Sequence, residues 1–108
     1  AYTSQIPWIQ SETIRNNIIF HNKYNEEKYL SILKICQLNE DLQRFPKEDQ
    51  SQVGENGVRL SGGQKARIAL ARALYSDLDI FLFDDIFSSL DTKVAIQIFN
   101  NIYYTYDI

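Results

Sequence analysis

The sequence predicts an α/β fold that is mostly helical and lends one interior strand to a parallel sheet. Three observations carry this. Ile80-Phe81-Leu82-Phe83 is apolar at every position, the pattern of a strand covered on both faces. From Gly63 to Tyr75, residues Ala66, Ala69, Leu70, Ala73 and Leu74 fall at i, i+3, i+4, i+7 and i+8, one unbroken helical stripe. Between Ser11 and Phe45, further helical patterns follow one another.

Taken in order, Tyr2 to Gln5 is short and suits the end of a strand. Pro7 then disfavours helix at Ile6. Ser11 is a candidate N-cap, with Glu12 in the first turn and Ile14 and Ile18 four apart. A second helix starts from Asn25. Glu26 and Glu27 suit its positive end, and Tyr29, Leu30, Leu33 and Leu38 line one side. Glu40 to Phe45 reads as one more short helical turn, stopped by Pro46. Lys47 to Gly57 is polar and loop-like. In the helix that follows, the small alanines imply close packing on a neighbour, and Lys65, Arg67 and Arg72 lie off the stripe. Asp84 and Asp85 stand at the C-terminal end of the apolar strand, where open α/β sheets place ligands. Ser88 to Asp91 is a turn, and Asp91 or Thr92 caps a last helix through Ile96, Phe99 and Asn100.

Composition narrows the function classes. With 108 residues the chain suits one small domain. Its net charge of -3 argues against a nucleic-acid footprint. Its apolar runs are shorter than a membrane span, and its start has neither the basic nor the apolar region of a signal peptide. The absence of any Met, including at the first position, is expected of a piece of a longer polypeptide. Cys36 has no second cysteine to pair with, so a buried thiol in a reducing compartment is the expectation. His21, the single histidine, reads as a solvated or locally capped side chain.

Two motifs carry chemistry. In Ser61-Gly62-Gly63, a natural N-cap precedes two residues without side chains. Backbone N–H groups can there approach an anion closely, aided by the positive helix end. A plain glycine turn is the simpler alternative for so short a motif. Asp84 and Asp85 follow an apolar strand and call for a cation or donors. Asp84 suits Mg²⁺ as a hard oxygen ligand, and Asp85 suits polarising a water; an acidic turn is the alternative.

Taken together, these features resemble the ATP-binding cassette (ABC) ATPases. LSGGQ at Leu60 to Gln64 with QKARIALARAL behind it resembles the family's signature motif, and IFLFDD its Walker B strand. Gln5 in YTSQIPWIQSETIRNNI resembles the Q-loop glutamine. VGENGVRLSGGQ resembles the exporter X-loop, and SSLD at Ser88 to Asp91 the D-loop. The resemblance covers residues 1 to about 100 and is nearest to the subfamily C, multidrug-resistance-associated exporters, especially their first nucleotide-binding domain. It divides the chain into a Q-loop region (1–10), a helical subdomain with the signature helix (11–75), and the Walker B strand, D-loop and following helix (76–108).

The resemblance implies ATP and Mg²⁺ as cofactors, and a second nucleotide-binding domain and transmembrane coupling helices as partners. Membrane contact would come only through the parent transporter, at its cytoplasmic face. Ser61, Gly62, Gly63 and Gln64 would cap the γ-phosphate of nucleotide held by the partner domain. Gln5 and Asp84 would serve Mg²⁺, Asp85 the attacking water, Glu55 the transmission of movement, and Asp91 the dimer interface. Trp8 would pack beneath the coupling-helix groove. The family's usual catalytic Glu is here Asp85, one methylene shorter, which predicts slow hydrolysis and keeps a regulatory cassette with little turnover open as an alternative. A chromosome-maintenance ATPase of the SMC type fits poorly, because no coiled coil separates Gln5 from Leu60. The sequence contains neither a Walker A pattern nor the switch histidine, so this chain alone is expected to be inactive.

Overall fold

The computed structural model describes residues 2–3, 9–54, 56–76, 82–83 and 91–106. In chain order the elements are β1 (Tyr2–Thr3), α1 (Ile14–Ile19), α2 (Glu26–Ile35), α3 (Asn39–Gln43), a 3-10 turn (Glu48–Gln50), α4 (Gly62–Tyr75), β2 (Leu82–Phe83) and α5 (Thr92–Tyr106). β1 and β2 pair in parallel, Tyr2 opposite Leu82 and Thr3 opposite Phe83. Parallel strands need a long crossover, and here it holds α1 to α4.

The core is built around α4, which packs on α1 and α2 and reaches β1. All five stripe residues are buried, and Ile68, Ala71 and Tyr75 extend the burial around the helix. Alanines on the crowded faces let neighbouring backbones come close. Tyr75 keeps its hydroxyl satisfied: it donates to the Lys23 carbonyl at 2.6 Å and accepts from the Asn25 N–H at 2.8 Å. Those two bonds pin the loop between α1 and α2.

The cap of α1 is Thr13, not Ser11. The Thr13 hydroxyl accepts from the Asn16 N–H, and its backbone is extended at ψ 159. An antiparallel bridge to Gln52 holds Thr13 in that conformation. The helix therefore starts two residues later than local sequence suggests, and Ser11 is left exposed before it. Ile14 and Ile18 are fully buried as expected.

Asn25 does cap α2, accepting from the Lys28 N–H at 3.0 Å. Tyr29, Ile32, Leu33, Ile35, Cys36 and Leu38 enter the core, whereas Leu30 stays exposed. Burial pushes the Cys36 thiol up to about 12. The end of α2 is a left-handed cap at Gln37, φ 56. Leu38 N–H donates to Leu33 and Gln37 N–H to Lys34, the paired bonds of a Schellman motif, with Leu33 and Leu38 both in the core beside it.

Arg15 donates to Asp49 at 2.9 Å, and the Tyr29 hydroxyl donates to the same oxygen at 2.9 Å. The pair ties α1 and α2 to the turn after α3. In the following loop a Cβ on Gly57 would overlap the Gln52 carbonyl, so glycine is required there by close approach. α5 buries Ile98 and Ile102, while Ile96, Phe99, Tyr103 and Tyr104 face outward. The helix expected through Ile96, Phe99 and Asn100 is present, and its inward side is tied down by Gln97 accepting from Gln37 and Asn101 donating to the Ile35 carbonyl.

Candidate functional site

α4 begins where Ser61 stops it from continuing backward. Ser61 is extended, φ -70 and ψ 166. Its hydroxyl accepts from the Gln64 N–H at 3.1 Å, and the Gln64 side-chain oxygen accepts from the Ser61 N–H at 2.9 Å. This reciprocal box satisfies two of the backbone donors at the helix start. The N–H groups of Gly62 and Gly63 find no acceptor among the described residues. Gly62 is exposed, and a Cβ built on it meets nothing within 4 Å. The helix start thus carries two donors without an acceptor among the described residues and about half a positive charge, with open space beside Gly62.

Behind this surface lies a partly buried clamp. Gln64 Nε2 donates to Asp41 Oδ1 at 3.1 Å, and Arg67 Nη1 donates to Asp41 Oδ2 at 2.6 Å. The same Arg67 nitrogen reaches the Gln37 carbonyl at 2.6 Å, and Arg67 Nε reaches the Gly63 carbonyl at 3.4 Å. The Arg67 and Asp41 side chains are only 14% and 16% exposed, so this ion pair is more than a screened surface contact. Burial alone would raise the Asp41 pKa. The bonds from Arg67 and Gln64 and the charges of Arg67 and Arg44 outweigh it and hold the carboxyl below the usual carboxylate range.

A cavity of about 600 Å³ opens beside the clamp, lined in part by Asp41, Arg44, Gly63, Arg67 and Asp91. Asp91 caps α5: its carboxylate accepts from the Lys93 N–H at 2.9 Å and its carbonyl from the Ala95 N–H at 2.8 Å. Gly63 and Asp91, singled out from separate motifs, therefore share one cavity. Gln5, Glu55, Asp84 and Asp85 lie outside the described residues, as do Trp8 and Ser88. β1 and β2 end side by side, two positions before Gln5 and one before Asp84. Among the described residues no group of three His, Cys, Asp or Glu side chains forms a metal cluster, and no helix is long and apolar enough to cross a membrane.

Sequence reasoning missed Asp41, Arg67 and Asn17. Asn17 is fully buried and joins the segment at Gln10 to Arg72 of α4. Each of these pairings spans 7 to 55 residues along the chain. The only hint was composition: cations lying off the apolar stripe of a helix whose neighbours are apolar need anions or carbonyls.

The comparisons agree with one another. A family model described as ABC transporter matches residues 1–88. The chain is 49% identical over 102 residues to ATP-binding cassette sub-family C member 2 of Rattus norvegicus. It is also 49% identical over 102 residues to ABC transporter C family member 7 of Arabidopsis thaliana, and 50% identical over 101 residues to ATP-binding cassette transporter abc4 of Schizosaccharomyces pombe. Each alignment covers 94% of this chain and 7% of the relative.

Proposed function

Since this chain belongs to the ABC transporter family, we propose that it is the signature-bearing part of the first nucleotide-binding domain of a subfamily C exporter. Its task there is to close, with Ser61, Gly62, Gly63 and Gln64, on the triphosphate of ATP seated in a second nucleotide-binding domain. The observation that carries this is Gly62. The fold has no steric need of a glycine at that place, and glycine costs a helix up to about 1 kcal/mol relative to alanine. Keeping the position bare makes sense where another molecule must approach the backbone.

In this reading the residues divide their work. The Gly62 and Gly63 N–H groups bind phosphate oxygens, and the Ser61–Gln64 box holds those N–H groups in direction. Asp84 and Gln5 hold Mg²⁺, which when bound neutralises charge on the phosphates. Asp85 orients the attacking water. Chain connectivity supports the grouping, since Gln5 and Asp84 follow closely on the paired residues Thr3 and Phe83. Asp91 reaches across the domain interface, Glu55 transmits movement, and the α1–α3 region receives the coupling helices of the membrane part.

Two measurements test the proposal. Asp85 is one methylene short of a glutamate, and a misplacement of about 1 Å can cost on the order of 100-fold in rate. Asp85→Glu in the intact transporter should therefore raise single-site turnover; unchanged turnover counts against Asp85 as the catalytic carboxylate and favours a regulatory cassette. The four glycines offer no G-x-x-x-x-G-K-[ST] spacing, the phosphate cradle of P-loop proteins. Calorimetry on the 108-residue chain alone should show no saturable Mg-ATP binding in the micromolar range. Micromolar affinity would mean that nucleotide is held by this chain itself.

A further inference from the structure

We propose that Asp41 is a positioning residue for the nucleotide-facing start of α4, acting through Gln64. The inference rests on the reading just given and adds to it a residue that none of the family motifs contains. Gln64 has two polar ends, and both are committed. Its oxygen accepts from the Ser61 N–H and its nitrogen donates to Asp41. A flipped amide would set oxygen against carboxylate and nitrogen against an N–H, so the Asp41 bond fixes the direction of the amide and hence of the cap. Asp41 is in turn committed at both oxygens, one to Gln64 and one to Arg67. Arg67 is held by the Gln37 carbonyl at the left-handed end of α2. Ser61 is exposed, and an exposed cap by itself holds a helix end weakly. Its attachment to the body of the protein is this partly buried string of bonds.

A merely structural Asp41 would hold α3 on α4 through its ion pair with Arg67 and nothing more. The two roles separate in a double-mutant cycle on ATP hydrolysis by the intact transporter, using Asp41→Ala, Gln64→Ala and both together, with kcat, KM for Mg-ATP and Tm measured for each. If Asp41 acts through Gln64, each single variant loses kcat by about tenfold, a part of what about 1 Å of misplacement can cost. The double variant then loses no more than about twofold beyond either, the non-additivity of residues acting as a unit. KM should change little, because nucleotide is first held by the partner domain. Multiplied losses in the double variant, or an Asp41→Ala protein with lowered Tm and parental kcat, would overturn the inference while leaving the site reading intact. A Gln64→Ala protein with parental kcat would bring down the site reading itself, and the inference with it. Should Asp41→Ala fail to assemble, the isosteric Asp41→Asn enters the same cycle. It keeps the packing but offers one acceptor where two are needed, so the same non-additivity with Gln64→Ala is expected, and additive losses overturn the proposal.

Discussion

Gly62→Ala should leave this chain as stable as before, or slightly more so, while cutting ATP hydrolysis by the intact transporter about 100-fold. The first half follows from space. The added methyl enters open solvent, Gly62 is the first residue of α4, and alanine is the better helix former by up to about 1 kcal/mol. The second half follows from electrostatics. Backbone donors aimed at developing phosphate charge are worth about 3 kcal/mol each in a closed site, and a methyl beside them keeps the phosphate from reaching full contact. Urea unfolding of the 108-residue chain and steady-state hydrolysis by the transporter read the two halves separately. A parental rate would show that no ligand approaches the backbone at 62. A loss of stability would show that the glycine serves the fold after all. Few substitutions separate the two roles so cleanly, because most bare positions are bare for packing. Gly57, pressed against the Gln52 carbonyl, is such a position, and any side chain there should damage the fold first.

Where the determinants are local, the sequence was readable. Ser61 and Gln64 are three apart, so the cap of α4 could be foreseen from its residues, as could the cap of α2 at Asn25. The stripe of α4 repeats within two turns and all of it is buried. The parallel direction of the strand pair was implied by an apolar run lacking alternation, although its register, Tyr2 opposite Leu82, joins residues at the two ends of the chain. Where two local solutions compete, a distant contact decides. Ser11 and Thr13 can both cap a helix, and the bridge from Gln52 selects Thr13. α5 carries two apolar stripes, and contacts with Gln37 and Ile35 choose the one with Ile98 and Ile102. The clamp behind the candidate site belongs to the same class. Asp41 is an ordinary acid in the first turn of a five-residue helix until Gln64 and Arg67 are folded against it. The cap residues Ser61 and Gln64 were legible, and the residues that hold Gln64 were not.

Asn17→Leu should destabilise the chain by about 3 kcal/mol, although leucine keeps the branching of asparagine, is more apolar and somewhat larger, and the site is wholly buried. The Asn17 amide uses every polar capacity it has. Nδ2 donates to the Gln10 carbonyl at 3.1 Å and the Thr13 carbonyl at 3.0 Å. Oδ1 accepts from the Gln10 N–H at 2.8 Å and from Arg72 Nη2 at 3.3 Å. The losses are unequal. The Gln10 carbonyl would keep the Glu12 N–H, and the Thr13 carbonyl would keep the N–H of residue 17, so the donors given up by Nδ2 matter little. The damage falls on the Gln10 N–H, which loses its Asn17 acceptor in a partly buried setting, and on the Arg72 guanidinium. Burial lowers the Arg72 pKa to about 10, which still leaves it charged at neutral pH. It would keep the bond from Nε to the carbonyl of residue 17 at 2.8 Å but lose an acceptor. An orphaned buried donor costs about 1–3 kcal/mol and a bond to a charged group about 1.5–3 kcal/mol. For a urea slope of about 1.5 kcal/mol/M, the midpoint should fall by about 2 M with the slope unchanged. A fall below about 0.5 M would mean that water or a shifted Arg72 replaces the amide at little cost. In that case α4 would be joined to the segment before α1 by apolar packing rather than by this hydrogen-bonded knot.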